Sequence, residues 1–398
     1  MKKVKYFTLL ALSPGLVVNA FATEFDPAPI KVTDGFLVVP QLSSRVEFND
    51  NIYEQEDNTT SSAIYIVSPS IRFGVDDGIN RYGGSYSLTS ATYENGSEDD
   101  YVDHNLSLLA HTEFTDRHRT DLTFSFANLH EDRGSGLSEG NASFFNEPIK
   151  YNELNTRGYY QFGGLNAIMR IGGGVSFTDT DYRNFRETTQ FDDVSELTYF
   201  ADADYQAGNV TYLTFDISTT DVEYDRVATG DESSDNRDSS ALIGFRWLGL
   251  GKTTATAKVG YQYKTFESDS RENFSGNTVE VGMTWNPQEY STFKADFSRS
   301  AQDSSTVGDY ILEIDSSVSW QQSWSEDFVS TLKFGYLDED YIGFARNDKT
   351  KSVGLNLNYT VTRWVKLTAG YQLTDKNSTE TDIGYDKNAV SLGIVVAL

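Results

Sequence analysis

The sequence contains no cysteine, which excludes disulfides, thiolate metal sites and cysteine nucleophiles. Proline is scarce, with 7 among 398 residues, and few prolines suit long uninterrupted strand ladders. Nothing beyond the first residues approaches the run of about 18 apolar residues that marks a membrane-spanning helix. Basic residues are outnumbered, 32 Lys+Arg against 59 Asp+Glu, for a formal net charge of −27. Nucleic acid is therefore excluded as a partner, because binding it needs a basic footprint.

Aromatic residues are abundant instead: 24 Tyr, 25 Phe and 5 Trp. The chain begins with a basic stretch, "MKKVK", followed by the apolar "YFTLLALSPGLVV" and by Ala20-Phe21-Ala22, a small-x-small triplet. This is the pattern of an export leader over residues 1–22, cleaved after Ala22. Losing Lys2, Lys3 and Lys5 would take the charge from −27 to −30. Residues 23–35 are expected to form a short periplasmic segment and residues 36–398 a single domain.

That domain repeats one pattern to its end. Leu122, Phe124 and Phe126 alternate with Thr123 and Ser125; Leu367, Ala369, Tyr371 and Leu373 alternate with Thr368, Gly370 and Gln372. A period of two places alternate side chains on opposite faces of a strand. About eighteen such runs of roughly 10 to 16 residues can be counted, long for soluble proteins and enough for a tilted strand to cross a bilayer. The connectors alternate as well. Short ones such as "TDRHR", "AGN" and "TRW" interleave with acidic ones such as "NDNIYEQEDNTTSS", "EDRGSGLSEGNASFFNEP" and "DEDYIGFARNDKTK". Short–long alternation is the signature of a meander with tight turns on one rim and loops on the other.

The expected fold is therefore all-β, a transmembrane antiparallel up-and-down β-barrel of about 18 strands in the bacterial outer membrane. A closed sheet satisfies every backbone polar group in hydrocarbon, and eighteen strands leave a lumen. Its outer face would meet outer-membrane lipid. The last run, with Val390, Leu392, Ile394, Val396 and Leu398 on one face, is expected to close the barrel and to carry the signal read by the outer-membrane assembly machinery. Strand parity turns Arg170, Arg246, Lys258, Gln262, Lys264, Glu280, Lys294, Asp296, Lys333, Lys366 and Gln372 inward. Basic lumen side chains favour anionic solutes, unless they only pair with neighbouring acids.

Chemistry is sparsely signalled. His104, beside Asp100, Asp103 and Asn105, is the best local constellation among four histidines, and no nucleophile motif accompanies it. The acidic loops lack the spacing of a calcium loop. No enzyme, metal or cofactor is expected.

The stretch "FLVVPQLSSRVEFNDNIY" contains Pro40, Asn49, Asp50 and Asn51; "IYIVSPSIRFGV" contains Pro69; and "DDYVDHNLSLLA" contains Asp100, Tyr101 and His104. In order and spacing these resemble the β-barrel porin-2-like outer-membrane proteins found with exopolysaccharide and capsule loci. The resemblance implies a monomeric barrel that passes a secreted polysaccharide, working beside a periplasmic polysaccharide-export protein. A diffusion porin for small solutes is the alternative, since "EDRGSGLSEGNASFFNEP" is long enough to fold inward as a constriction. A non-transporting adhesion barrel is a second.

Overall fold

The computed structural model describes residues 27–33, 35–164, 166–249 and 251–398. The leader and its cleavage site lie outside them. A short strand β1 (Ile30–Thr33) precedes eighteen long ones. These are β2 (Phe36–Asn49), β3 (Ser62–Asp76), β4 (Arg81–Tyr93), β5 (Tyr101–Thr115), β6 (His118–Glu131), β7 (Ile149–Phe162), β8 (Met169–Tyr182), β9 (Val194–Gln206) and β10 (Thr211–Tyr224). They continue as β11 (Asn236–Gly249), β12 (Thr253–Phe266), β13 (Phe274–Gln288), β14 (Ser291–Asp303), β15 (Tyr310–Ser323), β16 (Phe328–Ile342), β17 (Arg346–Thr362), β18 (Val365–Ser378) and β19 (Tyr385–Ala397). Each long strand pairs antiparallel with the next, and β19 pairs with β2, so the sheet closes on itself as an 18-strand barrel.

The seam explains the extra strand. β19 pairs with β2 only from Gln41 to Asn49, and the Leu398 N–H donates to the Pro40 carbonyl at 3.2 Å. Beyond that point the β2 edge would be bare, with unpaired backbone groups. β1 folds back and covers it, pairing Ile30 with Val38 and Lys31 with Leu37. The segment expected as a plain periplasmic lead-in thus completes the wall. At the other end of the seam, Asp50 accepts from the Asn388 amide and side chain at 2.7 and 2.9 Å, while Asn51 Nδ2 donates to the Asp386 carbonyl at 2.9 Å.

The outward face is apolar through its middle. Val390, Leu392, Ile394 and Leu398 point out and are exposed, whereas Val395 and Ala397, on the other face of the same strand, are buried. All five tryptophans of the sequence sit at the short-turn rim: Trp247, Trp285, Trp320, Trp324 and Trp364. Trp285, Phe293, Trp320 and Trp324 follow one another around it with ring centroids 5.3 to 6.2 Å apart. An amphipathic ring is most stable at the level of lipid headgroups, so this girdle marks one membrane interface.

At the opposite rim the strands outrun the lipid. On β17 the outward positions change from Lys349 and Lys351 to Val353, Leu355 and Tyr359. Hence "DEDYIGFARNDKTK", expected as a long loop, is mostly strand, and only residues 343–345 connect β16 to β17. The true long loops are residues 50–61, 132–148, 183–193 and 225–235.

Candidate functional site: a loop docked across the lumen

Residues 132–148, between β6 and β7, form the longest connection. The loop does not stand out into solvent. It passes the ends of β5, β4, β3, β2 and β19 and ends against β18 and β17. Three sets of contacts hold it there.

At its start, Arg133 is buried among partners from two other loops. Its Nε donates to Asp99 Oδ1 at 2.5 Å, and Nη2 donates to Asp99 Oδ2 at 2.7 Å and to the Tyr53 hydroxyl at 2.6 Å. The guanidinium also lies over the Tyr53 ring, 4.4 Å from its centroid. The hydrogen bond to Asp99 raises the Arg133 pKa further, while burial and then the Asp99 charge push the Tyr53 phenol up to about 12. The arginine is therefore a fixed charge with a neutral tyrosine beneath it. Gly134 comes next with φ +95, and a Cβ there would sit 1.9 Å from the Tyr53 carbonyl oxygen. Only glycine permits both that angle and that approach.

At its far reach, Glu139 Oε2 accepts from Arg346 Nη2 at 2.5 Å, and its other oxygen accepts from Lys376 Nζ. Both cations are shared with Asp348, which is fully buried. Ser378 Oγ donates to Asp348 Oδ1 at 2.6 Å, and Arg346 lies over the Tyr341 ring at 4.3 Å. Two carboxylates face two cations in this cluster, so the charges balance, as a buried ion cluster requires.

The return limb is apolar. Phe145 and Ile149 are buried with Tyr182, and Phe185 packs edge-on to Phe145 at 5.0 Å. Glu131 joins loop and wall here, accepting from the Leu137 N–H at 3.0 Å and from the Tyr182 hydroxyl at 2.9 Å. Asp192, in the 183–193 loop, faces it. Burial, then the charges of Glu131 and Asp193, push the Asp192 carboxyl up to about 7.

Beneath the loop, the residues expected to line the lumen all fall on the inward face, and most are engaged by the wall itself. Arg170 and Arg246 both donate to Asp204 Oδ2, at 3.1 and 2.7 Å. Lys258 lies 3.0 Å from Asp216 and 3.8 Å from Glu280. Lys264 is 1 % exposed, bonded to Asn236 and Asp303 at 3.0 and 2.9 Å. Gln262 is also buried, its amide exchanging two 2.8 Å bonds with the Ala301 backbone. It thereby replaces the ladder that β13 stops offering to β14 beyond Arg299. Gln262 and Lys264 are wall struts and do not meet the open lumen. Lys366 lies near Arg72, and Gln372 Nε2 reaches the Leu373 carbonyl at 3.3 Å. Lys294, Asp296 and Lys333 line an open cavity of about 730 Å³.

The family-motif positions serve the architecture. Asn49, Asp50 and Asn51 tie the 50–61 loop to the seam, and Asn49 Oδ1 accepts the Asn51 N–H at 3.0 Å. Pro69 stands opposite Leu42, where the β3–β4 ladder is interrupted. Asp100 caps the Tyr93 N–H at 2.8 Å, and Tyr101 stacks on His130 at 3.6 Å. The His104 constellation does not assemble. Its side chain points outward and bonds the Tyr86 hydroxyl at 2.8 Å, whereas His130 is the histidine that binds Asp103. Neighbours in sequence on a strand face opposite ways, which local reading of a four-residue cluster overlooks.

A closed barrel with a lipid-compatible belt, an aromatic girdle and an inward-folded loop is a porin-like channel of the bacterial outer membrane. Over residues 24–398 the chain matches the family described as "Putative beta-barrel porin 2", and it belongs to that family. No curated protein sequence matches it. Among solved structures it is similar to OccK2 (OpdF) from Pseudomonas aeruginosa, with 10% identity, TM-score 0.51, and coverage of 92% of this chain and 98% of that one. OccK1 (OpdK) from the same organism gives 11%, 0.50, 91% and 99%. The FrpB iron transporter from Neisseria meningitidis gives 12% and 0.50, with 87% of this chain spanning 63% of that chain. At such identities the likeness is one of fold.

Proposed function

We propose that the protein is a diffusion channel for small polar solutes, with its bore set by the docked 132–148 loop. The observation that carries this reading is the Glu139 cluster: a loop from one side of the mouth is clamped by Arg346 and Lys376 on strands far round the wall. A clamp made of buried ion pairs holds a constriction at fixed size, which is what a size-selective diffusion pore needs. Short turns face the periplasm in outer-membrane barrels, so the loop would guard the external mouth. The polar wall beneath it supplies hydrogen-bond partners for hydrated solutes.

Export of polysaccharide, which the family resemblance implied, gains no support from the relatives found, and a fixed clamp across the mouth suits small solutes better than a polymer. Liposome swelling with sugars of increasing size tests the proposal. Uptake with a sharp size limit supports it, and failure to swell with any of them contradicts it. A deletion strain that still assembles normal surface polysaccharide would remove the export reading.

A further inference from the structure

Charge is sorted along the lumen. The inward cations Arg157, Arg170, Arg246, Lys258, Lys294 and Lys333 all lie one to five residues from the short-turn ends of their strands. Carboxylates at that level are shared. Asp204 accepts from both Arg170 and Arg246, and Lys294 and Lys333 both act on Asp296, while Lys258 answers Asp216 and Asp202. Arg157 meets no carboxylate among the described residues; its guanidinium lies over the Phe200 and Tyr159 rings, 4.5 and 5.4 Å from their centroids. With Arg72, Arg119 and Lys366 set against Asp121 and Glu113, cations prevail in this section.

Nearer the long loops the sign reverses. Glu153, Glu196, Glu313 and Glu339 lie nine to eleven residues from the short-turn ends, on the same inward faces. None has an ion pair or side-chain hydrogen bond among the described residues. Cations at this level are held by other acids: Arg45 by Glu47, Lys387 by Glu54, Lys264 by Asp303 and Lys376 by Glu139, although the last two also act on Glu196 and Glu339. Glu313 and Glu339 stand directly opposite in the β15–β16 ladder, where like charges repel. Glu153 and Glu196, on β7 and β9, are six to nine strands away round the ring of eighteen. The two pairs therefore flank the passage that the docked loop leaves open. Six residues of strand tilted by about 40° rise about 15 Å, more than the Debye length of about 10 Å at about 0.1 M salt, so the two sections act separately.

We infer that the lumen is a charge-graded pore, with an outer vestibule that draws cations, an inner section that draws anions and a current that rectifies. The inference rests on the channel reading and adds its charge preference. Charged walls concentrate counter-ions within the screening length. With the long-loop side positive, cations move inward from the acidic vestibule and anions outward from the basic section, so both carriers fill the junction. The opposite polarity draws both away and depletes it. A neutral sugar is indifferent to either section.

The test records the full chain in planar bilayers with equal potassium chloride, about 0.1 M, on both sides. The native sequence has no cysteine, so Thr229→Cys in the 225–235 loop takes a single biotin label, and streptavidin added to one chamber identifies the long-loop side. Current should be about twofold larger with that side positive, and equal for both polarities at about 1 M salt. Two double variants, Glu153→Gln with Glu196→Gln and Glu313→Gln with Glu339→Gln, should each bring the ratio closer to one. Equal currents at low salt, a larger current with the long-loop side negative, or asymmetry unchanged in both variants would overturn the inference and leave the channel reading in place. Absence of any current would count against the channel reading, and against this inference with it.

Discussion

Glu139 and Arg346, 207 residues apart in sequence, meet at 2.5 Å where the β6–β7 loop ends its crossing of the barrel mouth. Both side chains are almost wholly buried there. Removing one member of a buried pair leaves its partner charged and desolvated, at a cost of about 3 kcal/mol or more. Glu139→Gln should therefore undock the loop without unfolding the barrel. Hydrogen exchange over residues 132–148 should rise by about a hundredfold while exchange in the strands stays as in the parent.

Gly134 allows the same docking to be tested without changing charge. An alanine there would carry its Cβ into the Tyr53 carbonyl and would also adopt a left-handed backbone angle. Gly134→Ala should displace the Arg133 end of the loop and expose it to limited proteolysis. An alanine variant as resistant as the parent would contradict the docked geometry.

Docking should weaken as pH rises. Asp192 titrates near 7 in the folded protein and near 3.8 when unfolded, so between these values the folded state holds the extra proton. Stability then falls with rising pH across that window, because ionising Asp192 places a charge in a buried site and then sets it against Glu131, which anchors Leu137. Asp132 works in the opposite sense but lower on the scale: burial opposes its charge, yet the hydrogen bond and charge of His130, with Lys387 and Tyr93, together hold its carboxyl below the usual range. Loop protection should be roughly tenfold lower at about pH 8 than at about pH 5.5, and Asp192→Asn should reduce the difference. An increase of protection with pH would contradict this assignment.

Two neighbours on β19 separate the faces of the wall. Leu392 is 65 % exposed on the outward belt, and Ser391 faces inward opposite Glu47. Leu392→Lys should cost about 2–4 kcal/mol near the bilayer midplane, whereas Ser391→Lys should be tolerated. Urea titrations of folding into lipid vesicles give both values. Removing residues 385–398 altogether should abolish insertion, since β2 would lose its closing partner.

The strands were legible because a period of two, sustained over the length of a membrane crossing, has few other causes. The alternating runs through Leu122, Phe124 and Phe126 and through Leu367, Ala369, Tyr371 and Leu373 fall wholly within β6 and β18. β1 was not legible: four residues carry no periodicity, and their role depends on where β19 stops. The β16–β17 connection misled because strand continuing beyond lipid is polar on both faces, like a loop. Inward facing was legible from parity, but pairing was not. Nothing near Lys264 predicts Asp303, and nothing near Glu139 predicts Lys376, 237 residues away. Those contacts arise from closure of the sheet, which brings distant strands onto one lumen.

The most direct test of the central claim is single-channel conductance in planar bilayers, comparing the parent with a chain in which residues 134–145 are replaced by a short glycine-serine link. A loop that sets the bore predicts small, steady steps for the parent and steps about two- to threefold larger for the shortened chain. Equal conductance in the two would contradict it.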